Sequence, residues 1–262
     1  SGTRFRNTGD PILNVSTPQG VDPRTQQDTI GLINSMNQRR LQLDGDGEIA
    51  TRIANYEMAY RLQSSAPELM DLSLETPATL EMYGCNPATP SFARACLLAR
   101  RMVERGVRFI NIYHEGWDAH SDVAGNVKRN AEATDRASAA LIRDLKQRGL
   151  LDSTLVVWGG EFGRTPMVEA SVSLGRSQGR DHHPQAFTTL MTGGGIRSGI
   201  TYGATDEMGF NVVENEVHVA DLQATILHCL GIDHEQLTYR SAGLDFKLTG
   251  VEPCKIIRAL LA

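Results

Sequence analysis

A stretch rich in β-branched and aromatic residues, typical of a β-strand, decides the fold class: Val107-Arg108-Phe109-Ile110-Asn111-Ile112-Tyr113. A helical pattern follows to about Arg148, with Gly149 just past its end, and Leu155-Val156-Val157-Trp158 has the composition of a second strand. Strand, helix and strand at this spacing predict a βαβ unit with parallel strands and a right-handed crossover. The sequence therefore predicts the α/β class, with a mostly parallel sheet flanked by helices.

Further elements are predicted on both sides of this unit. Residues 1 to about 24 are rich in Thr, Asn, Gly and Pro, which indicates an irregular, extended segment. We predict one domain overall, in which residues 1–90 pack on an α/β core of residues 91–262. The other predicted elements are helices near 25–43, 48–64, 91–106 and 218–230, a strand near 187–191 and a hairpin-like stretch at 199–213.

Composition limits the possible classes of function. The chain has 262 residues, of which 40% are hydrophobic and 22% charged, as in an ordinary globular domain. Its net charge of −5 and the lack of a dense Lys/Arg block argue against nucleic acid as a partner. No apolar run approaches the ~18 residues that a membrane span needs. The four cysteines lie far apart without a C-x-x-C pair, which argues against a disulfide framework and a thiolate zinc site.

Three predicted loops carry clustered His and acidic residues. Ligands of parallel α/β sheets bind beyond the carboxyl ends of the strands, so these loops are expected to meet at one rim. The third loop precedes its strand, and it reaches that rim only if the strand is parallel and the loop folds back. The loops are His114-Glu115-Gly116-Trp117-Asp118-Ala119-His120, the stretch 159–166 around Glu161 and Arg164, and Gly179-Arg180-Asp181-His182-His183-Pro184.

These loops contain the donor atoms of a possible metal site. Asp118 and His120 are two residues apart, so in an extended loop both side chains face one side. Together with Glu161 and His182 they form a mixed oxygen and nitrogen set that suits zinc, manganese or iron. Arg164 and Arg180 provide fixed positive charge for a sulfate- or phosphate-like group.

Each feature also has a purely structural explanation. Glu161 can cap a helix with Arg164 as its ion-pair partner, and Asp181 can orient His182 without any metal. Three clusters on one inferred rim nevertheless favour a real site. A structural role is preferred for the remaining single histidines, which are His114, His218, His228 and His234.

The same residues resemble a known family. Trp117-Asp118-Ala119-His120, the stretch 160–166 and Gly179-Arg180-Asp181-His182 look like the signature blocks of a planctomycete-type bacterial family, domain of unknown function 1501. That family is placed in the alkaline phosphatase and sulfatase superfamily. The resemblance runs over nearly the whole chain, and its pattern favours His182 over His183 as the ligand. It implies that the metal ligands are Asp118, His120, Glu161 and His182. We take Glu161, Arg164 and Arg180 as the candidate catalytic residues.

The chain departs from the superfamily pattern at two places. Members with two metals usually have an Asp-His pair where this sequence has Glu161-Phe162, and phenylalanine cannot coordinate a metal. One metal is therefore expected rather than two. The superfamily's nucleophile lies on the first strand, and no stretch before Ser91 is typical of that strand. The resemblance thus implies a truncated alkaline phosphatase-like fold. Cys85 begins a partial match to the sulfatase C-x-P-x-R motif, but Thr89 replaces the arginine and a loop cysteine is preferred.

We expect a metal-dependent hydrolase of sulfate or phosphate esters, acting on small-molecule or glycan substrates and incomplete as this chain. The alternative is a non-catalytic exported binding or structural module with a degenerate metal site. Hydrogen-bond networks without a ligand remain a third interpretation. Family resemblance implies a periplasmic or exported location.

Overall fold

The computed structural model describes residues 4–6, 20–45, 47, 49–50, 53–54, 57 and 66–262. These residues confirm a mixed composition of helices and strands. The chain divides into two compact units, residues 1–112 and 113–262. The predicted extended segment lies largely outside the described residues, and so does most of the helix predicted near 48–64.

Capping residues and glycines set the limits of the helices. Asp22 accepts hydrogen bonds from the first backbone N–H groups of one helix, and Ser91 does so for another. Gly106 and Gly149 have positive φ angles of 76° and 68°, so they stop their helices where the sequence predicts. The main helices are α1 (Pro23–Asp44), α2 (Pro77–Tyr83), α3 (Phe92–Glu104), α4 (Val123–Gln147) and α5 (Val219–Cys229).

The first unit is held by apolar packing around α3 and by a buried ion-pair network. Leu97 of α3 is fully buried, and Tyr83 at the end of α2 is almost fully buried. Glu75 accepts hydrogen bonds from Arg100 at 2.5 Å and from Arg101 at 2.8 Å. All three side chains are less than one tenth exposed, at 8%, 3% and 4%. Removal of one partner from such a network leaves an uncompensated buried charge, which is strongly destabilising.

In the part of the chain that the structure describes, the strands form two-stranded antiparallel sheets, and all of them lie in the second unit. They are β1 (Val156–Trp158) with β6 (Leu190–Thr192), β2 (Gly163–Arg164) with β5 (His182–His183), β3 (Glu169–Ser171) with β4 (Arg176–Gly179), β7 (Ala204–Thr205) with β8 (Val212–Glu214), and β9 (Thr238–Ser241) with β10 (Leu244–Lys247). The predicted hairpin at 199–213 is confirmed by the pairing of β7 with β8.

Two predictions about strands differ from the structure. Residues 107–113 form no strand, and β1 pairs with β6 in the antiparallel direction. No helix lies between Trp158 and Leu190, and the chain there consists of short strand pairs and turns. A parallel pair needs a crossover of a dozen or more residues between its strands, usually a helix. The chain between β1 and β6 contains no helix, and it returns so that β6 runs opposite to β1.

Among the described residues, no helix is both long and apolar enough to cross a membrane.

The buried network predicts a large loss of stability for Glu75→Ala. We expect the free energy of unfolding to fall by about 3–5 kcal/mol, because Arg100 and Arg101 stay buried without their shared carboxylate. Urea denaturation measures the change. Glu68→Ala is the matched control. The Glu68 side chain is 69% exposed, so its ion pair with Arg105 should contribute about 0–1 kcal/mol. Equal losses in the two variants would contradict this account.

Candidate metal site

Three of the four predicted metal ligands lie together, because two imidazoles approach the same carboxylate oxygen of Asp118. His182 Nε2 lies 2.9 Å and His120 Nε2 lies 3.1 Å from Asp118 Oδ1. One donor atom of each residue lies within 4.8 Å of the others. Asp118 is 58% exposed and His182 46%, while His120 is 20% exposed. The cluster is therefore open to solvent on the side of Asp118.

Strand pairing places two of the side chains next to each other. Arg164 on β2 is the direct partner of His182 on β5, and both side chains reach Asp118 Oδ1. Side chains alternate along a strand, so His183 points to the other side. His183 is 4% exposed, and its Nε2 hydrogen-bonds to the Phe210 carbonyl at 2.5 Å. The geometry thus puts His182, rather than His183, in the cluster.

Backbone contacts hold the Asp118–His120 loop against strand β4 and the residue after it. Arg180 donates its backbone N–H to the Ala119 carbonyl at 3.0 Å, and Ser121 bridges to Gln178. Gly179 fits there because it has no side chain: a Cβ atom would lie 2.1 Å from the carbonyl carbon and oxygen of His120. The position of His120 therefore depends on a glycine at residue 179.

The second nitrogen of His120 is held by a glutamate that the sequence analysis did not identify. His120 Nδ1 lies 2.6 Å from Glu169 Oε2, and Glu169 Oε1 accepts from Arg176 Nη1 at 2.5 Å. Metal-binding histidines typically use their other ring nitrogen in this way, which fixes the ring and its tautomer. The signal in the sequence is a hairpin around Gly175 that brings Glu169 and Arg176 onto paired strands.

Glu161 and Arg180 lie outside the three-donor cluster. The Glu161 carboxylate is 66% exposed, and its Oε1 lies 3.6 Å from Arg164 Nη2. Arg180 Nη1 donates to the Gly179 carbonyl at 3.0 Å. Glu161 is thus linked to the cluster by its ion pair with Arg164. Arg180 is linked to it by the hydrogen bond from its backbone N–H to the Ala119 carbonyl.

Phe162 forms one wall of the cluster. Its ring centroid lies 4.6 Å from that of His182, and the Arg164 guanidinium carbon lies 5.5 Å from the same ring. Arg164 is thereby held by an aromatic face as well as by carboxylates, which suits the planar guanidinium. Phe162 therefore contributes packing to the cluster and no donor atom.

The cluster keeps its carboxylates ionised. Hydrogen bonds from Arg164, and then from His182, lower the pKa of Asp118 to about 2. The hydrogen bond with His120 is the main cause that lowers the pKa of Glu169. Both groups are negatively charged at neutral pH, as a ligand and its supporting carboxylate must be.

The spacing of the donors fits a divalent ion. An ion at about 2.0–2.2 Å from nitrogen and oxygen ligands places neighbouring donors roughly 3.0–3.5 Å apart. The two distances to Asp118 Oδ1, 2.9 and 3.1 Å, are close to this range. The set of one carboxylate and two imidazoles suits zinc, manganese or iron. Arg164 donates to the same oxygen, so an ion would compete with this hydrogen bond.

Arg164→Gln is expected to raise the pKa of Asp118 towards the ordinary value of about 3.9, because the largest stabiliser of the charged form is removed. Because the pKa of Asp118 is lower in the folded protein, the ionised carboxylate stabilises the fold at pH values above its unfolded-state pKa. This contribution is lost as the pH falls through about 2. Carboxyl-carbon NMR titration of metal-free protein measures the shift. Asp206 is the control, because its pKa is lowered mainly by the backbone N–H of Phe210. An unchanged Asp118 midpoint in the variant would contradict the assignment.

If the Asp118 cluster binds zinc, Gly179→Ala is expected to displace His120 and weaken that binding by about 10–100-fold, the range for lost support of a ligand. Titration calorimetry with zinc measures the affinity. Gly160→Ala is the control, since a Cβ there would find its nearest neighbour at an ordinary 3.6 Å. Wild-type affinity in Gly179→Ala would show that this close approach does not position His120.

Comparison with known proteins identifies one family and nothing more specific. The model of a family described as "Protein of unknown function (DUF1501)" matches residues 1–261. No curated protein matches the chain, and no solved structure matches it. Since the family model covers all but the last residue, the chain belongs to the DUF1501 family of proteins of unknown function.

Proposed function

We propose that this protein is a metal-dependent hydrolase of sulfate or phosphate esters that holds one divalent zinc, manganese or iron ion. The proposal depends on one observation, the convergence of His120 and His182 on Asp118 Oδ1 beside the cation Arg164. The donors come from the loop before α4 and from strand β5, and Asp118 and His182 are 64 residues apart in the chain. Exposed Asp118 opens the cluster to solvent. An exposed cluster of this composition favours a ligand over a purely structural role.

Each residue has a defined part in this proposal. A bound ion would act as a Lewis acid on an ester oxygen and stabilise developing negative charge. Asp118, His120 and His182 would hold it, and Glu169 would orient the His120 ring. Arg164 would balance the charge of the ester group, since guanidinium binds phosphate and sulfate oxygens in bidentate fashion.

Glu161 and Arg180 are proposed to complete the site. Glu161 shares the Arg164 guanidinium with Asp118, so its carboxylate is proposed as the fourth ligand. Arg180 follows Gly179, the residue packed against His120, and is proposed to add positive charge at the rim. The order of Asp118, His120, Glu161 and His182 along the chain supports membership of the alkaline phosphatase and sulfatase superfamily, and with it an exported location, as part of the same proposal.

Hydrolysis of nitrophenyl phosphate and nitrophenyl sulfate with added zinc or manganese tests the function. We expect weak turnover that is lost in His182→Ala and reduced about 10–100-fold in Glu169→Gln, which keeps the shape of the side chain but removes its charge. His228→Ala is the control, because His228 is exposed on α5 and lies outside the cluster. Turnover that survives in His182→Ala, or in excess chelator, would refute the proposal.

A second candidate function is metal-free binding of a sulfated glycan. It is favoured by Arg164, which already neutralises Asp118, and by Phe162, which covers the His182 ring. In that case glycan binding would persist after chelation and fall in Arg164→Gln. Binding that requires the metal would favour the hydrolase.

A further inference from the structure

A second set of possible metal ligands lies at the end of α5, away from the Asp118 cluster in sequence. His234 Nδ1 is 3.5 Å from Cys254 Sγ and 3.7 Å from Glu235 Oε1. One donor atom of each residue lies within 4.8 Å of the other two. This group, the His234–Glu235–Cys254 cluster, shares no residue with the Asp118 cluster.

The separation between the cysteine sulfur and the histidine nitrogen matches tetrahedral zinc. With Zn–S of about 2.3 Å and Zn–N of about 2.0–2.1 Å, the tetrahedral angle places sulfur and nitrogen roughly 3.5 Å apart. The observed separation of Cys254 Sγ and His234 Nδ1 is 3.5 Å. A thiolate with an imidazole and a carboxylate is a set that selects zinc over magnesium or calcium. One thiolate and one carboxylate also balance the charge of the ion.

Hydrogen bonds fix both segments that carry the donors. Asp233 accepts from the Glu235 backbone N–H at 2.8 Å and from the Gln236 side chain at 2.8 Å, which forms a tight turn. After Cys254, the backbone N–H of Lys255 donates to Asp221 Oδ1 at 2.8 Å, and that of Ile257 donates to Thr225 Oγ1 at 2.9 Å. The acceptors Asp221 and Thr225 are buried side chains of α5. Both segments are therefore positioned before any ion binds.

The two sides of the cluster differ in their exposure to solvent. His234 is buried, with 7% exposure, whereas the Glu235 side chain is 56% exposed. Lys247 Nζ bonds to Glu235 Oε2, so the other oxygen, Oε1, is the one that faces His234. The cluster is thus buried on the histidine side and open on the glutamate side, where water can complete the coordination.

We propose that the His234–Glu235–Cys254 cluster binds a zinc ion that ties the segment after Val251 to the end of α5. Its role is structural, and it is independent of the proposed hydrolase site. The spacing of the cysteines argues against a thiolate zinc site because no C-x-x-C pair exists, but that argument covers only sites built from neighbouring cysteines. Here the single thiolate is joined by donors twenty residues earlier in the chain.

Cobalt titration of the metal-free full chain, followed by absorption spectroscopy, tests the site. A cobalt–thiolate charge-transfer band should appear and saturate at about one equivalent for this site. The band should be lost in Cys254→Ser, which keeps a small hydrogen-bonding side chain, and in His234→Ala. It should persist in Cys229→Ser and His228→Ala, the matched cysteine and histidine controls on α5, and in His182→Ala.

Thermal unfolding gives a second readout that does not depend on the cobalt spectrum. Zinc should raise the Tm of wild type and of Cys229→Ser by several degrees more than that of Cys254→Ser. If no cobalt–thiolate band forms in wild type, or if the band survives in Cys254→Ser, the proposal is overturned and the 3.5 Å contact is a thiol–imidazole hydrogen bond only. A loss of hydrolase activity without loss of the band would affect only the proposed function.

Discussion

The carboxylate of Asp118 is the interaction on which the candidate site depends. One of its oxygens is shared by a guanidinium and two imidazoles, so it must be ionised, and Arg164 keeps it so. The partners come from separate elements: His120 from the same loop, and Arg164 and His182 from the paired strands β2 and β5. The strand pair β2–β5 and the loop that carries Asp118 and His120 are therefore held together at Asp118 Oδ1.

The same chemistry has a different consequence in the first unit. Glu75 also binds two cations, but it is buried with them, and its contribution is to stability. Asp118 is largely exposed, so its ion pair is screened by solvent and contributes little to the fold. An exposed convergence of charged donors is more easily explained by a ligand than by stability, which is why Asp118 and Glu75 receive different interpretations.

Local signals in the sequence predicted much of the helical structure and three residues of the cluster. Capping residues and glycines act within one turn, so the helix near 91–106 and the end of α4 before Gly149 could be predicted from the sequence. Asp118, His120 and His182 were found because their residue types are unusual together. Strand pairing was not predicted correctly, because the pairing of β1 with β6 depends on contacts between residues distant in sequence. Glu169 was missed for the same reason, since a single glutamate gains meaning only when the hairpin brings it to His120.

Anomalous diffraction from crystals grown with zinc directly tests whether Asp118, His120 and His182 hold a metal ion. We expect a peak at the zinc edge about 2.0–2.2 Å from Asp118, His120 Nε2 and His182 Nε2, with Arg164 displaced from the coordinating oxygen. If no peak appears between these residues at saturating zinc, and Arg164 still donates to Asp118, the cluster is a hydrogen-bonded ion pair and the metal-dependent function is excluded.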